Sequence, residues 1–199
     1  MSRESAREEA IRLALIKLES VDLKERCKIL GLASPEKGAI PLRIFGKNRI
    51  LRLEDFALLP GDRDEPVHPT DRILALHYLC CDLPLVPGEN LISFRELPGG
   101  LFYFAPFQSR SIKPLISRIG NDLDLLRKNM NRFDWEQIEY KDFSARIHAL
   151  GKIHVTLVYR TGDEEFSPSA EVLFDSMIKR VFTAEDISVL ASRICLGLV

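Results

Sequence analysis

Residues 152–175 constrain this chain more than any other stretch. Ile153, Val155, Leu157 and Tyr159 alternate with His154, Thr156, Val158 and Arg160. A period of two in β-branched and aromatic residues is the pattern of a strand with one face on a core. The run breaks at Gly162, Asp163, Glu164 and Glu165, an acidic turn, and re-enters the fold at Phe166 and Pro168. Residues 171–175 then read as a short buried run ending in Asp175.

Two-residue turns extend the pattern. Residues 143–160 form a hairpin about Gly151 and Lys152. Residues 40–54 form another about Gly46 and Lys47, where glycine first in a two-residue loop suits a type II′ turn. Residues 92–104 form a third about Pro98, Gly99 and Gly100, and the aromatics Phe102, Tyr103 and Phe104 suggest a strand covered on both faces.

Helical spacing appears elsewhere. Ser5 and Glu8 fit a capping box for a helix over 5–19. Asp22 opens a second helix that Gly31 stops. Residues 70–81 form a short helix, apolar over most of its circumference, and 108–132 form a helical run that Gly120 and Asn121 divide. Thr183 caps a last helix over 184–197. The expected fold is therefore α+β: a mostly antiparallel sheet or sheets built from three β-hairpins, with helices packed on one side. With 199 residues, one domain over 1–199 is expected. Residues 1–37 are readable as an N-terminal helical appendage, and the loop over 60–66 is the best internal linker.

Composition excludes several functions. The net charge is −1 and the pI about 6.4, with no clustered basic excess, so nucleic acid is not an expected partner. The N-terminus mixes Arg3, Glu4, Arg7, Glu8 and Glu9, and no apolar segment of signal-peptide type follows. No apolar run approaches the ~18 residues of a membrane span. A cytoplasmic chain with no membrane partner is the natural expectation.

No metal-ligand set or cofactor motif is recognisable. Cys27, Cys80, Cys81 and Cys195 form no C-x-x-C pair and read as reduced, buried thiols on apolar helix faces. Of the histidines, His68, His77, His148 and His154, His77 lies near Cys80 and Cys81 on one helix face and reads as a hydrogen-bonded core residue. With Gly151 and Lys152 as the turn, Ala149 pairs with His154 and His148 with Val155. His148 and His154 then point to opposite faces, which argues against a shared metal. Residues 97–100 resemble a phosphate loop only superficially, since a strand is expected to follow. Arg110, Lys113, Arg118, Arg127, Lys128 and Arg132 read as a solvated helix face, or more sharply as a docking surface for an acidic partner.

The acidic segment carries the candidate site. Asp163, Glu164 and Glu165 sit at a sheet end, where ligands and partners commonly bind. Asp175 follows Val172, Leu173 and Phe174, so it is expected to be partly buried and held by a partner: a following main-chain amide, Arg160 or Arg180.

The order of these pieces resembles a known family. Residues 97–100 (Leu-Pro-Gly-Gly), 104–107 (Phe-Ala-Pro-Phe), 162–168, 172–175 and 183–187 carry the likeness. It is similar to an uncharacterised domain-of-unknown-function family of anaerobes. Some members look fused to a four-cysteine iron–sulfur segment like that of corrinoid iron–sulfur proteins. This chain lacks the four-cysteine segment, so cluster binding does not carry over. The resemblance implies a binding or accessory module with a corrinoid or iron–sulfur redox protein as partner. The alternative is a small soluble enzyme with a carboxylate-containing site near Asp163–Asp175.

Overall fold

Short alternating strands must share hydrogen bonds to persist, and here they share one sheet. A computed structural model describes residues 3–61, 65–88 and 90–199, so part of the expected 60–66 loop lies outside the described residues. The strands are β1 (Ala39–Ile44), β2 (Lys47–Arg52), β3 (Leu58–Pro60), β4 (Leu91–Ser93), β5 (Trp135–Gln137), β6 (Phe143–Leu150), β7 (Ile153–Arg160) and β8 (Ser169–Asp175). The helices are α1 (Arg3–Leu18), α2 (Leu23–Leu30), α3 (Pro69–Leu79), α4 (Gly100–Arg110), α5 (Ile112–Ile119), α6 (Leu123–Met130) and α7 (Ala184–Gly197). The sheet order is β3-β2-β1-β6-β7-β8-β4, with β5 beside β6, and every pairing is antiparallel.

This is the α+β class that the patterning implies. Ala145, Ile147, Val155, Leu157, Tyr159 and Phe174 form the buried face of β6 to β8. Each such large side chain contributes roughly 1.5–3 kcal/mol through burial. The helices cover that face as one connected layer: α1 and α2 lie on α3, α3 and α4 on α7, α7 and α6 on α5, and α5 on β8. The other face of β6 to β8 carries Arg146, His148, His154, Thr156, Glu171 and Asp175.

Helix ends follow local chemistry. Asp22 accepts from the amides of Lys24 and Glu25, and Gly31 closes α2 in the left-handed region at φ 70°. Asp122 caps α6, and Thr183 with Asp186 forms a capping box on α7. At α3 the cap is His68, whose side chain accepts from the Thr70 amide, with Pro69 at the first helical position. Ser5 is not a cap, because α1 already runs from Arg3.

Three expectations about turns are corrected. The first hairpin turns at Phe45 and Gly46, not Gly46 and Lys47, because Ile44 pairs with Lys47. Both turn residues have positive φ, 51° and 76°, which makes it type I′ rather than type II′.

The second correction is larger, since 92–104 is not a hairpin. β4 stops at Ser93 and pairs with β8, and α4 begins at Gly100. Phe104 and Phe107 turn inward at helical spacing, and the Phe107 ring stacks on Phe94 at 4.1 Å. Leu101, Phe102 and Tyr103 face outward. Gly99 enters the helix at φ 76°, and a Cβ on Gly100 would lie 2.0 Å from the Phe94 carbonyl oxygen. The two glycines thus serve a close helix entry, not a strand turn.

The third correction concerns β6 and β7. Leu150 pairs with Ile153, but the next pair is His148 with His154, so Ala149 is an inserted bulge residue. Its carbonyl accepts from the Phe45 amide at 2.9 Å, joining the two hairpins. His148 and His154 therefore share a face.

Candidate functional site

The expected site residues separate into two places. The acidic turn joins the end of β7 to the start of β8, whereas Asp175 ends β8. At about 3.4 Å per residue, the length of β8 puts them ~20 Å apart. Asp163 uses its Oδ1 locally, accepting from the amides of Phe166 and Glu165 at 2.7 and 2.9 Å. Those amides, Phe166 first, hold its carboxyl below the usual range. Asn121 clasps the preceding Gly162 through both its amide and its carbonyl. Glu164 and Glu165 are exposed.

Asp175 lies elsewhere and is half-buried. Its Oδ1 accepts from the amides of Gly88 and Met177, both at 2.8 Å. Of the partners considered, the following amide is the one found. Arg160 pairs with Glu171 instead, and Arg180 donates to the Leu83 carbonyl. Asp175→Ala is expected to cost about 1–2 kcal/mol in urea unfolding, since two amides lose their acceptor. Changing both Glu164 and Glu165 to Gln should stay within ~0.5 kcal/mol. A wild-type melt for Asp175→Ala would show that water replaces the carboxylate freely.

Asp175 lies in a groove of about 590 Å³ on the sheet face opposite the helices. Arg146, Lys152, His154 and Thr156 line it with Asp175, and Pro87, Leu91 and Ile138 wall it. The strands fix these positions: Arg146 lies directly opposite Thr156, and Leu91 opposite Asp175. Lys152 is set by the turn, whose amide donates to the Tyr78 hydroxyl at 2.9 Å. Arg146 donates to Glu136 at 3.2 Å. Arg146, which pairs with Glu136, and Lys152 are the cations of the groove, and with the His154 imidazole as a hydrogen-bonding neighbour they suit a carboxylate or phosphate group.

Burial, and then the Arg146 charge, hold the His154 pKa below its ordinary value. An unfolded histidine titrates near 6.5, so just below that pH the native state binds fewer protons than the unfolded chain. This contribution to stability is present above about 6.5 and is lost as pH falls through the folded pKa. His154→Gln should therefore flatten the acid limb of a stability–pH curve, measured by urea unfolding between pH 7 and 5. An unchanged limb would mean that His154 is fully hydrated.

A second arrangement was not legible in the sequence. His77 Nδ1 lies 3.0 Å from Asp186 Oδ1, while Asp186 Oδ2 accepts from the Thr183 hydroxyl and amide. The cleft beside them, about 350 Å³, is also lined by Lys17, Cys80 and Arg180. His77 is thus a part-exposed residue with an acidic partner, not a core residue. Asp186 sits 109 residues away, so no spacing rule could pair them.

The cysteines are free thiols. Burial pushes Cys195 up to about 12, Cys81 up to about 11, and Cys27 and Cys80 in the same direction. They stay protonated at neutral pH and none is poised as a thiolate. Among the described residues, no group of three or more His, Cys, Asp and Glu could hold a metal ion. No helix among them is long and apolar enough to cross a membrane.

One antiparallel sheet, helical on one face and grooved on the other, defines an α+β scaffold whose groove face carries polar side chains around a buried patch of Ser144, Thr156 and Val158. The chain belongs to DUF3786, a domain-of-unknown-function family, which it matches over residues 22–196. Neither a curated protein nor a solved structure matches it.

Proposed function

We propose that the chain is a binding or accessory module whose outer groove receives a carboxylate- or phosphate-bearing group of a small molecule or partner. The observation that carries this reading is that Arg146 and Lys152 line one groove together with the His154 imidazole. Asp175 supports the groove by holding the Gly88 amide next to Pro87, one of the groove walls. The acidic turn is a separate surface at the far end of β8, available to a partner but not to the same small ligand. A corrinoid or iron–sulfur redox protein as that partner rests on the sequence resemblance alone, as does an anaerobic setting. The test is anaerobic purification of the full chain beside an Arg146→Ala, Lys152→Ala variant, with absorbance and mass spectrometry of what stays bound. A corrinoid or iron–sulfur protein held by the wild type and lost by the variant is the expected result. Identical retention by both would remove the groove from the reading.

One observation favours an enzyme instead. Asp186 on His77 Nδ1 leaves Nε2 as the free imidazole nitrogen, the arrangement of an oriented general base. Lys17 and Arg180 in the same cleft suit an anionic substrate. On this reading the acid–base work lies at His77, since the carboxylates at 163–165 and at 175 are too far apart to cooperate. Any turnover found by screening the wild type should then be lost in His77→Gln. Turnover that survives this change would reject the cleft as its site.

A further inference from the structure

The bulge at Ala149 places His148 opposite His154, with ring centroids 5.3 Å apart and planes at 67°. Each ring has one nitrogen on a main-chain carbonyl. His148 Nε2 lies 2.9 Å from the Gly151 oxygen, and His154 Nδ1 lies 3.2 Å from the Lys152 oxygen. A carbonyl only accepts, so these nitrogens carry the protons. The neutral rings then keep lone pairs on His148 Nδ1 and His154 Nε2. Histidine ligands of metals are commonly fixed in this way, with the second nitrogen donating to a carbonyl.

The spacing is also that of a chelate. A zinc–nitrogen bond of about 2.0–2.1 Å puts an imidazole centroid about 3.2 Å from the ion, so a tetrahedral angle separates two centroids by about 5.2 Å. The observed separation is 5.3 Å. We propose that His148 and His154 form a two-histidine site for a divalent transition ion such as Zn²⁺, Ni²⁺ or Cu²⁺, its remaining positions open to water or to an oxygen ligand. Imidazole nitrogens suit these ions. Arg146 pairs with Glu136, and Arg43, which lines a cavity with His148, pairs with Asp134. Two protein ligands hold an ion more weakly than a four-ligand structural site does. The site adjoins the groove through His154 but stands whether or not the groove binds a partner.

The test is zinc competition against a chromophoric chelator at pH 7.5, on the full wild-type chain and on His148→Gln, His154→Gln and His68→Gln. One ion per chain is expected, weakened about tenfold or more by either of the first two changes and unaffected by the third. No zinc binding below about 1 mM, or equal binding by all four proteins, would overturn the site. Imidazole nitrogen NMR of the wild type guards against misfolded variants. Zinc should shift His148 Nδ1 and His154 Nε2, and a shift confined to other histidines would also overturn it.

Discussion

Asp71→Ala is expected to destabilise the protein by about 3 kcal/mol, the low end of the range for breaking a buried ion pair. Asp71 lies in the first turn of α3 with its side chain 2% exposed, and it takes two bonds from Arg193 of α7 at 2.8 and 3.1 Å. Removing the carboxylate loses both bonds and the favourable placement of negative charge at a helix N-terminus. It also leaves a guanidinium without its counter-charge. That group is 24% exposed and lies 5.4 Å from the Phe45 ring, so water recovers part of the loss, which puts the estimate at the low end. Urea unfolding of Asp71→Ala, of Arg193→Met and of the double change would isolate the pair term. A loss under about 1 kcal/mol would show that the pair is effectively solvated.

Gly151→Val should be comparably damaging, at about 2–5 kcal/mol, from left-handed strain and overpacking together. Gly151 has φ 54°, and a Cβ there would lie 2.5 Å from the Tyr78 ring and hydroxyl. That hydroxyl donates to the Leu30 carbonyl at 2.6 Å and accepts from the Lys152 amide. One phenol thus ties α2, α3 and the β6–β7 turn together. Tyr78→Phe keeps the ring and loses only the two bonds, so it should cost less, about 1–3 kcal/mol. Thermal melts of the two variants would separate backbone strain from bonding. A Gly151→Val protein that melts like wild type would mean that the turn does not press on Tyr78.

How much could be read in advance depended on whether the signal was local. The caps at Asp22 and Thr183 and the stop at Gly31 are set by residues within one turn of the helix end and all three are present, whereas the capping box expected at Ser5 is not. The alternation of 153–160 fixed which side of β7 meets the core, because successive side chains point to opposite faces. The antiparallel α+β class followed from these. Composition at 101–104 misled, because aromatic density marks burial and close packing in helix and strand alike. The stacking of Phe107 on Phe94, and the fit of Gly100 against the Phe94 carbonyl, decided for helix.

The candidate site depended more on tertiary structure. Asp175 could be picked out because a carboxylate after an apolar run needs a partner, yet its partners come from Gly88 and Met177. The groove needs β4, β6, β7, β8 and Pro87 at once. The face shared by His148 and His154 hangs on one inserted residue, Ala149, which no alternation rule marks. The His77–Asp186 contact joins α3 to α7. Periodicity and capping act through neighbours along the chain, so the sequence alone determined the start and stop of α2, the start of α7, the core-facing side of β7 and the class of fold. Register, bulge and groove depend on which distant surfaces exclude water together, and only the folded chain decided them.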